Sequence, residues 1–152
     1  MDSLDSDKWD VLDYLKLLPG IIFAGLIFYL SSLENPVPSQ AAETIDFFDV
    51  NTVLHIAEYA VFSFLLAFGL SSKLEYYKIT IIGILYAFSD EVHQYFVPTR
   101  FFDIFDILAD GIGVVIGILG YLIFLMLLKG LKQMNKNIEN KKKKKEQRSD
   151  SA

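Results

Sequence analysis

The chain has 152 residues, a 53% hydrophobic fraction with thirteen Phe, no cysteine and a formal net charge of −5. That is room for one domain, with more apolar surface than a soluble domain of this size can hide. Disulfides and thiolate chemistry are excluded, and the net charge says less than its layout. Residues 1–16 carry five Asp against Lys8 and Lys16, residues 17–128 carry eleven acids against Lys73, Lys78 and Arg100, and the remainder carries nine bases against three acids.

Residues 1–16 read as an acidic lead-in, with Trp9 and Tyr14 suited to a membrane interface and no small-residue cleavage site of a signal peptide. Four stretches then meet the length of roughly 17–25 apolar residues that a spanning helix needs. The first covers about residues 17–33, with Pro19 near its start, where a missing amide proton matters least. The second covers Val50–Leu70 and is interrupted by His55 and Glu58. The third, about 78–97, is apolar only in its first half, and the fourth, about 104–128, is the longest. Residues 129–152 read as a Lys-rich tail on the cytoplasmic side, in which the run 141–145 is expected to be solvated and disordered and to favour an anionic leaflet. No aromatic residue interleaves with these lysines, so the run is not read as a nucleic-acid surface. The fold class expected is therefore all-α, a polytopic membrane bundle of four transmembrane helices over residues 17–128.

Lys and Arg near the span ends set the orientation. Lys8 and Lys16 precede the first span, Lys73 and Lys78 lie between the second and third, and Lys129, Lys132 and Lys136 follow the fourth. The stretch 34–51 has four acids and no base. Both termini and the middle loop are expected in the cytoplasm, making this a multi-pass protein of the cytoplasmic membrane. Each unusual polar group then falls in the outer leaflet, with Glu91 and Asp110 about 10 Å in from their helix ends.

Helical spacing groups these residues. His55 lies three and four positions before Glu58 and Tyr59, Gln94 lies three and four after Glu91 and Asp90, and Asp103, Asp106 and Asp110 follow an i, i+3, i+7 stripe continued by Gly113 and Gly117. Pro98 ends the third helix, and a tight turn is expected to swing Arg100 back over the acids. Asp103 fits a helix start, but Asp110 is too deep to be a cap. The Gly113 and Gly117 pair suits close packing on a neighbour within the chain, or a face for a homo-oligomer. An ionisable residue inside a membrane costs roughly 2.5–3.5 kcal/mol and is a site candidate by default.

The pattern Asp90-Glu91-x-x-Gln94 with Pro98 and Arg100, then Asp106, Asp110 and Gly113, resembles the VanZ-like family of small membrane proteins. His55-Ile-Ala-Glu58-Tyr59 matches that family's second block, and Ser31-Ser32 fits the end of its first span. The resemblance covers about residues 17–125. Two departures stand out: Thr52 occupies a position where the family often has Lys, and Asp110 one where Asn is common. The resemblance implies a fold and a motif; the family's namesake is associated with resistance to the glycopeptide teicoplanin, and no reaction comes with it.

The candidate catalytic groups are His55, Glu91 and Asp110, and the candidate substrate-binding groups are Arg100, Tyr59, Gln94, Asp90 and Asp106. Three functions can use this set. One is binding or modification of an envelope-lipid or wall-precursor head group, held by the planar fork of Arg100 while Glu91 and His55 orient it or exchange protons. Another is metal-assisted hydrolysis with His55, Glu91, Asp106 and Asp110 as ligands. Its only cofactor would be a divalent ion, and the carboxylate count favours Mg²⁺, Ca²⁺ or Mn²⁺ over Zn²⁺. The third is a proton- or ion-coupled carrier built from an oligomer. No Gly-rich phosphate loop, nucleophile elbow or zinc-type spacing is present.

Overall fold

A computed structural model describes residues 9–34 and 50–149. These residues are all helical apart from turns and connections: α1 is Val11–Ser31, α2 Val50–Leu70, α3 Tyr76–Gln94 and α4 Ile104–Ser149. Most of the acidic loop expected between the first two spans lies outside the described residues. Three of the helices, α1, α2 and α4, are long and apolar enough to cross a membrane. Helix α3 differs because Lys78 and the adjacent Asp90 and Glu91 break its apolar character.

Helix α1 starts earlier than the sequence suggests. Asp10 caps it, accepting from the Asp13 amide at 2.8 Å, while the Asp13 carboxylate accepts from the Asp10 amide at 3.3 Å. This reciprocal cap turns part of the acidic lead-in into the first turn. Pro19 consequently lies inside α1 and not at its start. Its missing N–H leaves the Leu15 carbonyl without the usual helical donor, which a membrane helix tolerates where neighbours resupply the bond.

The inward stripe of α1 is Asp13, Gly20, Ile27 and Ser31, while Ile21, Ile22 and Phe28 on its other faces are exposed. A helix with so narrow a buried stripe and so apolar an outer face fits lipid as its solvent. Helix α2 is the central element, burying His55, Tyr59, Phe62, Ser63, Leu66, Ala67, Gly69 and Leu70. At its C-terminal end Lys73 meets Asp13 at 3.3 Å, and a Cβ on Gly69 would stand 2.9 Å from the Leu17 Cα, so α1 crosses here at backbone distance.

Helix α4 packs on α2 through two glycines. A Cβ at Gly113 would lie 2.5 Å from the Ile56 carbonyl oxygen, and one at Gly117 would overlap Ser63 Oγ and the Ala60 carbonyl. Ser63 Oγ donates to the Val114 carbonyl at 2.9 Å across the same seam. The stripe is thus occupied inside the chain, by Ile56, Tyr59, Ala60 and Ser63 of α2. On the other side Val114 fills the space over Gly83 of α3, and Tyr86 Oη donates to the Ala24 carbonyl of α1 at 2.6 Å.

Residues Gly120–Ala152 form a second compact unit. In it, α4 runs on past the apolar stretch to Ser149, and residues 129–144 are solvent-exposed. The expectation of disorder at 141–145 is corrected, because that run continues α4. Residues 129–149 contain no Pro and are rich in Lys, Glu and Gln, which are good helix formers, and Glu139 precedes Lys143 by the four positions that support a helix.

Candidate functional site

Three helices bring His55, Glu91, Asp106 and Asp110 together. His55 follows from the first turns of α2, Glu91 lies near the end of α3, and Asp106 and Asp110 lie on one face of the first two turns of α4. His55 Nδ1 donates to Asp110 Oδ1 at 2.9 Å, and the two groups are 7% and 0% exposed. The donor is assigned from chemistry, since an ionised carboxylate only accepts. The other nitrogen, Nε2, lies 3.8 Å from Asp106 Oδ2, too far for a hydrogen bond. One ligand atom each from His55, Glu91 and Asp106 lie within 4.8 Å of one another.

Glu91 is fully buried. Its Oε2 accepts from the Asp103 amide at 3.1 Å, and its Oε1 has no hydrogen-bond partner among the described residues. Asp110 Oδ2 is in the same position. Because α3 ends at Gln94, Glu91 lies one turn from its helix end and not the two implied by a helix reaching residue 97. Asp110 keeps the greater depth, six residues inside α4. Asp103 is a helix start, with its Oδ1 accepting from the Phe105 amide at 2.8 Å.

A second polar network runs along α3 towards α1. Ser31 Oγ and Gln94 Nε2 both donate to Asp90 Oδ2, at 2.8 and 3.1 Å. Arg100 Nη1 donates to Gln94 Oε1 at 3.2 Å. Adjacent acids thus part company: Asp90 faces α1, whereas Glu91 faces the start of α4. Consecutive helical residues are about 100° apart, which is what separates them.

The Pro98 turn forms, with the Arg100 amide donating to the Val97 carbonyl at 3.2 Å. Thr99 holds a φ of 69°, a left-handed conformation rare for a β-branched residue. The turn does not lay the Arg100 side chain over the acids. Its Nε donates to the Leu33 carbonyl at 3.2 Å and its Nη2 to the Leu30 carbonyl at 3.3 Å. The C-terminal carbonyls of a helix lack intrahelical donors, and a cation there also suits the dipole. Three of the five guanidinium N–H groups are engaged in these contacts and the Gln94 bond.

Tyr59 is fully buried against Phe62 and Tyr86, and its hydroxyl has no partner among the described residues. His93 was not among the candidate residues. It stacks on Phe28 with ring centroids 4.3 Å apart and its Nε2 donates to Ser32 Oγ at 2.9 Å. Ser32 in turn donates to the Phe28 carbonyl. The Ser31-Ser32 pair was the visible signal that α1 ends beside polar groups.

No significant match to a curated protein or to a solved structure was found. A family model described as VanZ/LLP1 matches residues 6–126, a stretch that includes all four helices' contributions to the two networks. Among the described residues three helices are long and apolar enough to cross a membrane, and the chain belongs to the VanZ/LLP1 family of membrane proteins.

Proposed function

We propose that the chain is a four-span bundle of the cytoplasmic membrane, with both termini cytoplasmic, that binds or modifies a polar head group at an outer-leaflet site. The head group is that of an envelope lipid or wall precursor. Helix α3, 19 residues or about 28 Å long, serves as the fourth span. Its acids Asp90 and Glu91 are turned into the bundle, so they do not meet lipid. The Lys-rich end of α4 lies by the anionic cytoplasmic leaflet.

The observation that carries this reading is the buried His55–Asp110 pair facing Glu91 and Asp106, built from three helices inside an apolar bundle. A fixed imidazole beside carboxylates is equipment for proton transfer to or from a bound group. Arg100 at the rim retains two N–H donors for an anion. The family's association with glycopeptide resistance makes a wall-precursor lipid the first ligand to test.

Native mass spectrometry of the detergent-solubilised protein checks this. Wild type retains lipid, and Arg100→Ala and His55→Gln each lose most of it while remaining folded by circular dichroism. An unchanged lipid profile in both variants defeats the reading.

A further inference from the structure

Two carboxylate oxygens at the centre of the site, Glu91 Oε1 and Asp110 Oδ2, have no hydrogen-bond partner among the described residues. His55 is anchored through Nδ1 to Asp110, which leaves Nε2 directed to the side where Asp106 lies. A proton on Nε2 would supply one N–H, at a distance of 3.8 Å from Asp106 and with nothing for Glu91 Oε1. Glu91 is fully buried and yet has an unpartnered oxygen, which is costly for an ionised carboxylate unless it takes up a proton or a positive group completes it.

We infer that His55, Glu91 and Asp106 bind one divalent transition-metal ion of the Zn²⁺ or Mn²⁺ class, with Asp110 holding the His55 ring in place. The three donors come from α2, α3 and α4, at 4.8 Å or less from one another. Around a tetrahedral ion with ligand bonds of about 2.0–2.2 Å, donors stand roughly 3.4 Å apart. The His55 to Asp106 distance of 3.8 Å is near that already, and the wider separations need about 1.4 Å of closure at most.

Ligand chemistry narrows the ion. With all four candidates as ligands, three carboxylates would favour Mg²⁺, Ca²⁺ or Mn²⁺. Asp110 bonds to the imidazole instead, leaving one imidazole and two carboxylates, and an imidazole is a poor ligand for Mg²⁺ or Ca²⁺. Three protein ligands also leave a fourth position for water or a head-group oxygen. Asp106, whose side chain is 18% exposed, is where that position reaches the outside. A carboxylate behind a metal-bound His fixes its tautomer and ring angle, which is the place Asp110 occupies.

The inference rests on the head-group reading only in that the same residues carry both, and its test contains no added lipid. Full-length protein on a non-histidine tag is stripped with a chelator in detergent and titrated calorimetrically with Zn²⁺, and with Co²⁺ followed by visible absorption. Wild type takes up one ion per chain, with the intense visible bands of tetrahedral Co²⁺. Glu91→Gln and Asp106→Asn each weaken binding at least about tenfold, and Asp110→Asn weakens it by about 10–100-fold with altered Co²⁺ bands. His93→Gln, which changes the only other histidine, binds as wild type does. Asp106 is at the rim, so its variant keeps the test decisive even where Glu91→Gln fails to fold. A wild-type protein that takes up no Zn²⁺ or Co²⁺ overturns the inference, as does Asp106→Asn binding with unchanged affinity. Loss of lipid without loss of ion, or the reverse, separates this inference from the head-group reading.

Discussion

Asp110→Ala lowers the stability of the detergent-solubilised bundle by about 3–5 kcal/mol, the cost of leaving one member of a buried pair without its partner. Asp110 is fully buried and His55 nearly so, and the 2.9 Å bond between them joins α2 to α4. Removing the carboxylate leaves Nδ1–H facing a void. Asp110→Asn behaves differently, because its amide oxygen still accepts from that N–H, and its loss is under about half as large. Thermal unfolding followed by circular dichroism measures both. An Asp110→Ala protein as stable as wild type would mean that this pair does not hold α4 on α2.

Gly117→Ala is the second large effect. The added Cβ would fall on Ser63 Oγ and on the Ala60 carbonyl, and only the first of these can step aside. Helix α4 must then move off α2, which disrupts the Ser63 to Val114 bond and loosens contacts around Tyr59. Overpacking of a fitted seam costs about 1–3 kcal/mol, and backbone contact puts this case at the upper end or beyond. Gly113→Ala follows it, because its Cβ meets the Ile56 carbonyl. Gly25→Ala and Gly111→Ala are the controls: nothing lies within 4 Å of either added Cβ, so their stabilities change by less than about 1 kcal/mol. The same melting experiment ranks all four, and equal midpoints for Gly117→Ala and Gly111→Ala would contradict the packing described.

What the sequence displayed, and what it concealed, follows from the range of each interaction. Helix α2 matches its apolar run from Val50 to Leu70, and the i, i+4 spacing of His55 and Tyr59 places both on the buried face. The Asp103 helix start was equally legible, because a cap is local. The start of α1 was not, since Asp10 and Asp13 are two of five nearby aspartates and the reciprocal cap is visible only as geometry. The turn after Pro98 was legible, but not where it sends the Arg100 side chain. Its partners are the Gln94 side chain and the carbonyls of Leu30 and Leu33, backbone groups that leave no mark in composition. The four-residue cluster could be listed from the sequence, but not divided. That Asp110 binds one imidazole nitrogen while Asp106 lies by the other depends on how α4 is rotated against α2, which Gly113 and Gly117 fix.

The claim on which the functional account depends is that the His55 site opens to the outer leaflet. The chain has no cysteine, so each introduced thiol reports alone. Thr99→Cys lies between α3 and α4, and Ser72→Cys between α2 and α3. In sealed cells a membrane-impermeant maleimide is expected to label Thr99→Cys, and to label Ser72→Cys only after the membrane is disrupted. Labelling of Ser72→Cys in sealed cells, with Thr99→Cys protected, would put the site on the cytoplasmic side and contradict the account.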